Sequence, residues 1–281
     1  PSKDHEGAKR LSNKPYYNGP KEAIKTKASN DSGLHSNLPD RQQAFHELGE
    51  TREMLVLGSI KALPMKILIA GATGMIGRLI LQEAINNEEV KRITALVRTA
   101  GELPDSPKVN EVLVSDFANL ADHADSFQDV RAAFFCIGVY TGQVSDAVFK
   151  LITVDYAVAF AELLSKQSPN ARFCLLSGAG ADRTEKSRTS FARYKGMAEN
   201  RIAGMNLRFT SFRPAYIYPV EARKEPNVMY QLMRLLYPFI KYMGKGTSIP
   251  STLLAKAMFK VGLNGSEKEV LENAQIRNLV E

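Results

Sequence analysis

The chain has 281 residues, 44% of them hydrophobic, and a formal net charge of +7. That is enough for one well-cored domain with an appendage, and no apolar run reaches the roughly 18–20 residues of a membrane span. The basic residues are scattered without a basic–aromatic repeat or a recognition-helix signature, so the charge suits a phosphate-bearing cofactor better than nucleic acid.

Residues 1–64 read as an arm and linker. Residues 1–53 are rich in Lys, Asn, Ser, Asp and Gly and poor in branched apolar residues, which predicts an extended or disordered segment. They hold no apolar central block of a secretory leader, and three of the four histidines (His5, His35, His46) lie there. The remaining residues, 65–281, form the predicted folded domain.

Met65-Lys66-Ile67-Leu68 opens that domain as a strand, and Ile69-Ala70-Gly71-Ala72-Thr73-Gly74-Met75-Ile76-Gly77 follows it. Arg78 onwards reads as a helix. Strand, glycine turn and helix together make a dinucleotide-binding fingerprint. Gly71 makes the tight turn, Gly74 admits a pyrophosphate, and Gly77 lets the helix pack close. The backbone N–H groups around Thr73, Met75 and Ile76 then meet the phosphates at the positive end of the helix dipole.

Further strands are predicted at 93–97, 111–115, 132–137, 172–176 and 208–212. Helices are predicted at 76–87, 146–167, 191–203, 229–242 and 252–263. Short apolar strands alternating with helices imply parallel pairing and right-handed crossovers. The fold class is therefore α/β, a doubly wound (Rossmann) parallel sheet with a small C-terminal substrate region beyond Pro214.

In such a sheet the ligand lies across the carboxyl ends of the strands. Arg98, just past the second strand, offers a cation to a 2′-phosphate where an acid would select NAD, so the cofactor is read as NADP rather than NAD. Asp116 would bond the adenine amino group, with Phe117 or its backbone lining the ring; a turn or helix cap is the alternative role for Asp116. Gly138, after the fourth strand, would admit the cofactor closely. Ser177, after the fifth, would hold a hydroxyl over the reactive end. Cys136 and Cys174 lie in predicted buried strands as reduced core thiols, which fits a cytoplasmic protein. No CxxC or HExxH spacing points to a metal.

These stretches, with Val154-Asp155-Tyr156, Lys195 and Phe212-Arg213-Pro214, resemble an atypical short-chain dehydrogenase/reductase. Leu175-Leu176-Ser177-Gly178-Ala179-Gly180-Ala181-Asp182 and Leu271-Glu272-Asn273 are similar to the Tat-interacting-protein-like oxidoreductase branch. The resemblance covers about residues 65–279 and implies a Ser, Tyr, Lys arrangement, with the Tyr four residues before the Lys on one helix face. It implies that Lys195 binds the nicotinamide ribose, that Ser177 polarises the substrate oxygen, and that a tyrosine moves the proton. Here Phe191 stands where the tyrosine is expected. Tyr194 lies about 100° away around the helix.

Three readings follow. Tyr140 supplies another phenol; or the chain is a noncatalytic NADP(H)-dependent sensor or scaffold; or a bulge in the helix brings Tyr194 into place. The leading function is hydride transfer to or from a small carbonyl or alcohol, with sugar-nucleotide epimerisation a weaker alternative. Arg213 is expected to pair inside the cleft. The apolar helix at 229–242 suits core packing, a cleft lid, a homodimer face or a membrane-surface helix.

Overall fold

In a computed structural model, residues 64–140, 142–221, 232, 234–238 and 244–281 are described. The expectations for residues 1–63 lie outside them, as does most of the predicted helix at 229–242. Strand β1 (Met65–Ala70) is an apolar run with both faces buried, the signature of a central parallel strand. It pairs in parallel with β2 (Val90–Val97) on one side and β4 (Val130–Phe135) on the other. The edge strand β3 (Val109–Leu113) lies beyond β2. On the other flank follow β5 (Arg172–Leu176), β6 (Arg208–Arg213) and β9 (Val270–Glu272). The order β3-β2-β1-β4-β5-β6-β9 is that of a doubly wound sheet, with its switch point between β1 and β4.

Alternation along β1 divides the core. Ile67 and Ile69 face the layer of α1 (Met75–Asn86) and α5 (Ser251–Asn264), together with Ile80, Leu81 and Met258. Leu68 and Ala70 face the other layer, where Phe135, Phe160 and Phe173 pack around α3 (Tyr156–Gln167). The predicted helix at 146–167 is α2 (Asp146–Lys150) running into α3 through a π turn at Leu151–Asp155. Helix α4 (Ser190–Ala203) packs beside that turn.

Several elements depart from the sequence reading: β2 begins three residues earlier than predicted, and β4, like β3, lies two residues earlier. β3 starts and ends two residues earlier than predicted, because its register follows β2: Ile93 pairs with Val109 and Val97 with Leu113. The short β9 was not anticipated; it is added at the β6 edge through Ser211–Val270 and Arg213–Glu272, and α6 (Asn273–Asn278) follows it. A second parallel pair, β7 (Tyr216–Tyr218) with β8 (Ser248–Pro250), builds the wall above the sheet's carboxyl end.

Candidate nucleotide site and catalytic cleft

The glycine turn has the geometry its spacing demands. Gly71 sits at φ +86°, and a Cβ there would come within 2.9 Å of the Cys136 carbonyl carbon. A Cβ on Gly77 would overlap the Gly71 carbonyl, so α1 can seat on the turn only with glycine at that position. Gly74 is the exposed N-cap of α1, in extended conformation (φ −78°, ψ 170°), and no side chain caps the helix. Ile76 and Gly77 are buried, so these positions have backbone alone to offer a ligand. Beside the turn opens a cavity of about 280 Å³, lined by Thr73, Gly74, Met75 and Arg78 on one side and by Pro219, Glu221 and Ser251 on the other. The Ser251 hydroxyl accepts from the Val220 N–H at 3.2 Å and holds that far wall. An exposed helix start with no side-chain cap, a cavity beside it and glycines where Cβ atoms would collide suit a dinucleotide pyrophosphate.

Arg98 lies one residue beyond β2, exposed, and makes no hydrogen bond or ion pair among the described residues. The loop that follows it is shaped by Glu111, whose carboxylate accepts from the Gly101 N–H at 2.7 Å and the Leu103 N–H at 3.2 Å. Asp116 is exposed and accepts from the Ala118 N–H at 2.8 Å, which is the turn-capping role. The Phe117 ring is 4% exposed and packs against Tyr156, leaving its backbone as the part that could line an adenine. Gly138 is exposed, and a Cβ there would meet nothing within 4 Å, so open space lies over the end of β4.

The carboxyl end of β5 is arranged around a buried residue that was not among the predicted site residues. Glu199 on α4 is completely buried. It accepts from Ser177 Oγ at 2.7 Å, Ser211 Oγ at 2.7 Å, Arg183 Nε at 2.9 Å and Arg213 Nε at 3.0 Å. Burial pushes its carboxyl up, but the hydrogen bonds from Arg213, Ser177, Ser211 and Arg183 prevail and hold it at about 2. A hydroxyl has one proton. In this geometry that of Ser177 goes to Glu199, so Ser177 presents a lone pair, not a proton, to a substrate oxygen. The sequence signal for Glu199 was present: Phe191, Lys195 and Glu199 recur every fourth residue along α4.

Lys195 reaches the residue before Ser177: its Nζ donates to the Leu176 carbonyl at 3.0 Å. Burial pushes the Lys195 ammonium down to about 8, against the opposing pull of the Glu199 carboxylate. Burial also pushes the neighbouring Cys136 thiol up to about 12, so it stays protonated.

The tyrosine positions resolve clearly. Phe191 points its ring at the loop after β5: its Cζ lies 2.5 Å from where a Gly178 Cβ would be. Tyr194 is 8% exposed and donates from its hydroxyl to Asp146 at 2.6 Å, with the Arg193 guanidinium 4.9 Å over its ring. Helix α4 is regular from Ser190 to Ala203, so Tyr194 is not turned towards the Lys195 stripe; the π turn falls in the neighbouring helix instead. Tyr140 sits half-buried in the loop after β4.

Arg213 pairs with Glu199 and, at 3.0 Å, with Glu272 of β9. Asn273 is 3% exposed and ties the segment after β6 to the one that leads into β8. Its amide donates to the carbonyls of Lys245 and Ser248, and its side-chain oxygen accepts from the Ala215 N–H. The Leu271-Glu272-Asn273 stretch thus closes the cleft wall, a role that depends on contacts distant in sequence.

A doubly wound parallel sheet with a glycine turn at its switch point defines a nucleotide-binding protein of the Rossmann type. The chain belongs to the NAD(P)H-binding family, whose model matches residues 71–261. No curated protein matches the sequence. Solved structures share the fold. Gre2 of Candida albicans, in complex with NADPH, has a TM-score of 0.59 at 11% identity over 75% of this chain and 79% of that one. WbmF of Bordetella bronchiseptica, in complex with NAD+, has 0.55 at 12% identity over 76% and 77%. The oxidoreductase ylbE of Lactococcus lactis has 0.55 at 18% identity over 77% and 95%. Among the described residues no helix is long and apolar enough to cross a membrane.

Proposed function

We propose that the chain is an NADP(H)-dependent oxidoreductase acting on a small carbonyl or alcohol, in which Lys195 serves as the proton source in place of the tyrosine. The observation that carries this reading is the position of the Lys195 ammonium, half-buried beside the Leu176 carbonyl at the carboxyl end of β5, on the helix face where Phe191 has no proton to give; burial there pushes it down to about 8. A reduced nicotinamide, when bound, supplies a hydride. Lys195 then has two N–H bonds beyond the one to Leu176 with which to hold the ribose and protonate the substrate oxygen. Ser177 fixes Glu199 and the loop after β5 rather than the substrate. Thr73, Gly74, Met75 and Ile76 would bind the pyrophosphate through backbone, Gly138 would give room to the cofactor, Asp116 and the Phe117 backbone would meet the adenine, and Arg98, without a partner among the described residues, would favour NADP over NAD.

The Leu175–Asp182 stretch supports an atypical short-chain dehydrogenase/reductase of the Tat-interacting-protein-like branch. The exposed side chains of Leu232, Leu235 and Leu236 support a homodimer face, and the two free cysteines support a cytoplasmic setting. The second reading, a noncatalytic NADP(H) sensor, is favoured by the Phe191 ring lying against Gly178.

The pH profile of carbonyl reduction separates the two. A lysine donor predicts that turnover falls about tenfold per pH unit above about 8, and that Lys195→Met abolishes turnover while NADPH still quenches and binds. NADPH binding without turnover across a broad carbonyl panel makes the protein a sensor.

A further inference from the structure

A second cavity, of about 490 Å³, opens at the opposite edge of the sheet, where β5 and β6 begin. Arg172 and Arg208 are the first residues of these strands and pair in register, so their side chains leave the same face. Neighbouring strands lie about 4.8 Å apart, a spacing at which two guanidinium groups can grip one anion. Arg131, next to the Ala132 that pairs with Arg172, leaves the opposite face of the sheet and adds only its charge nearby.

One acid, Glu267, lines the cavity, but among the described residues it forms no ion pair with either arginine. Among the described residues, Arg131, Arg172 and Arg208 make no side-chain hydrogen bond or ion pair and the buried Nε of Arg172 has no partner. Burial and the charges of Arg131 and Arg208 all depress the Arg172 pKa, the mark of uncompensated cations. Part of the Arg172 side chain is explained by the C-terminal end of α5: its Nε lies 3.5 Å from where a Gly265 Cβ would be, a favourable place for a cation. That leaves Arg208 and the cavity floor unexplained. The floor is polar: Thr210 is 3% exposed with no hydrogen-bond partner for its hydroxyl among the described residues, and Cys174 is kept a neutral thiol by burial.

We propose that this cavity is a second anion site, separate from the glycine turn, which takes a small phosphate- or carboxylate-bearing metabolite between the guanidinium groups of Arg172 and Arg208. Thr210 supplies a hydroxyl to the anion from below. The volume suits an organic anion rather than a bare ion. The strand between the two sites, Arg172–Leu176, is five residues long, which separates this anion from the cofactor end by about 16 Å. The site does not depend on the oxidoreductase reading.

Calorimetry on the full chain at constant ionic strength tests it, with inorganic phosphate and citrate as probes. Binding of at least one probe is expected. Arg208→Gln should weaken it about tenfold and Thr210→Val should weaken it less, while Lys91→Gln, an equal charge change at an exposed lysine elsewhere, should leave it intact. The tighter probe identifies phosphate or carboxylate as the ligand group. Absence of binding by both probes overturns the proposal. So does binding that Arg208→Gln leaves unchanged, or binding that Arg98→Gln removes, which would put the anion at the cofactor end.

Discussion

The glycine turn and the end of β5 lie on the same edge of the sheet, yet they are built from different materials. The turn presents backbone: Gly71, Gly74 and Gly77 matter for the Cβ atoms they lack. The β5 end presents side chains: Ser177, Lys195, Glu199 and Arg213 are joined by hydrogen bonds around one buried carboxylate or lie beside it. A backbone site tolerates almost any neighbouring side chain but no added Cβ atom. A side-chain site changes its chemistry with a single substitution.

The largest effect that would test this contrast is at Gly77. Gly77→Val should drive a side chain into the Gly71 carbonyl, cost about 3 kcal/mol or more, and abolish NADPH quenching in a fluorescence titration. Retained tight binding would break the argument that backbone geometry makes the phosphate site.

Nearly as large is the effect expected at the other pole. Glu199→Gln leaves two arginines facing a neutral amide and should lower stability by about 3–5 kcal/mol in denaturant unfolding. The sign with pH follows from the depressed carboxyl. With a folded pKa of about 2 against an ordinary 4.5, Glu199 contributes stability that is fully present above the ordinary value and is lost as pH falls towards 2. The variant should lose that portion of the acid transition. An unchanged acid midpoint would show that Glu199 does not organise the cleft.

Arg98→Gln is expected to weaken NADPH about tenfold and NADH little, because a charge-assisted bond to the 2′-phosphate is removed. Equal losses for both cofactors would move the selectivity elsewhere. The smallest change is expected from Phe191→Tyr. The ring Cζ already points at Gly178, so an added hydroxyl is directed into that loop rather than over Lys195. Reductase turnover should rise by less than about tenfold, and a much larger rise would show that the cleft is intact apart from one oxygen.

Much of this molecule was legible from local pattern. The apolar runs of β1, β4, β5 and β6, the glycine spacing at 71–77 and the alternation of strands with helices suffice for the sheet and its nucleotide end, because backbone conformation and burial periodicity are properties of short segments. Even the departure at Phe191 is a matter of counting four residues back from Lys195. β3 and β4 were each placed two residues late, because strand ends are fixed by the register of the paired neighbour, and β9 was missed because three residues carry too little pattern.

What the linear chain could not reveal is which proton goes where. Ser177, Arg183, Glu199, Ser211 and Arg213 come from four separate segments, and their hydrogen bonds exist only once β5, α4 and β6 have docked. The same holds for the row of Arg172 and Arg208, which lie far apart in sequence and meet through strand register. Chain-local geometry determines the cradle for phosphate; the charge and proton state of a buried group depends on everything packed around it, and so only the tertiary structure decided those.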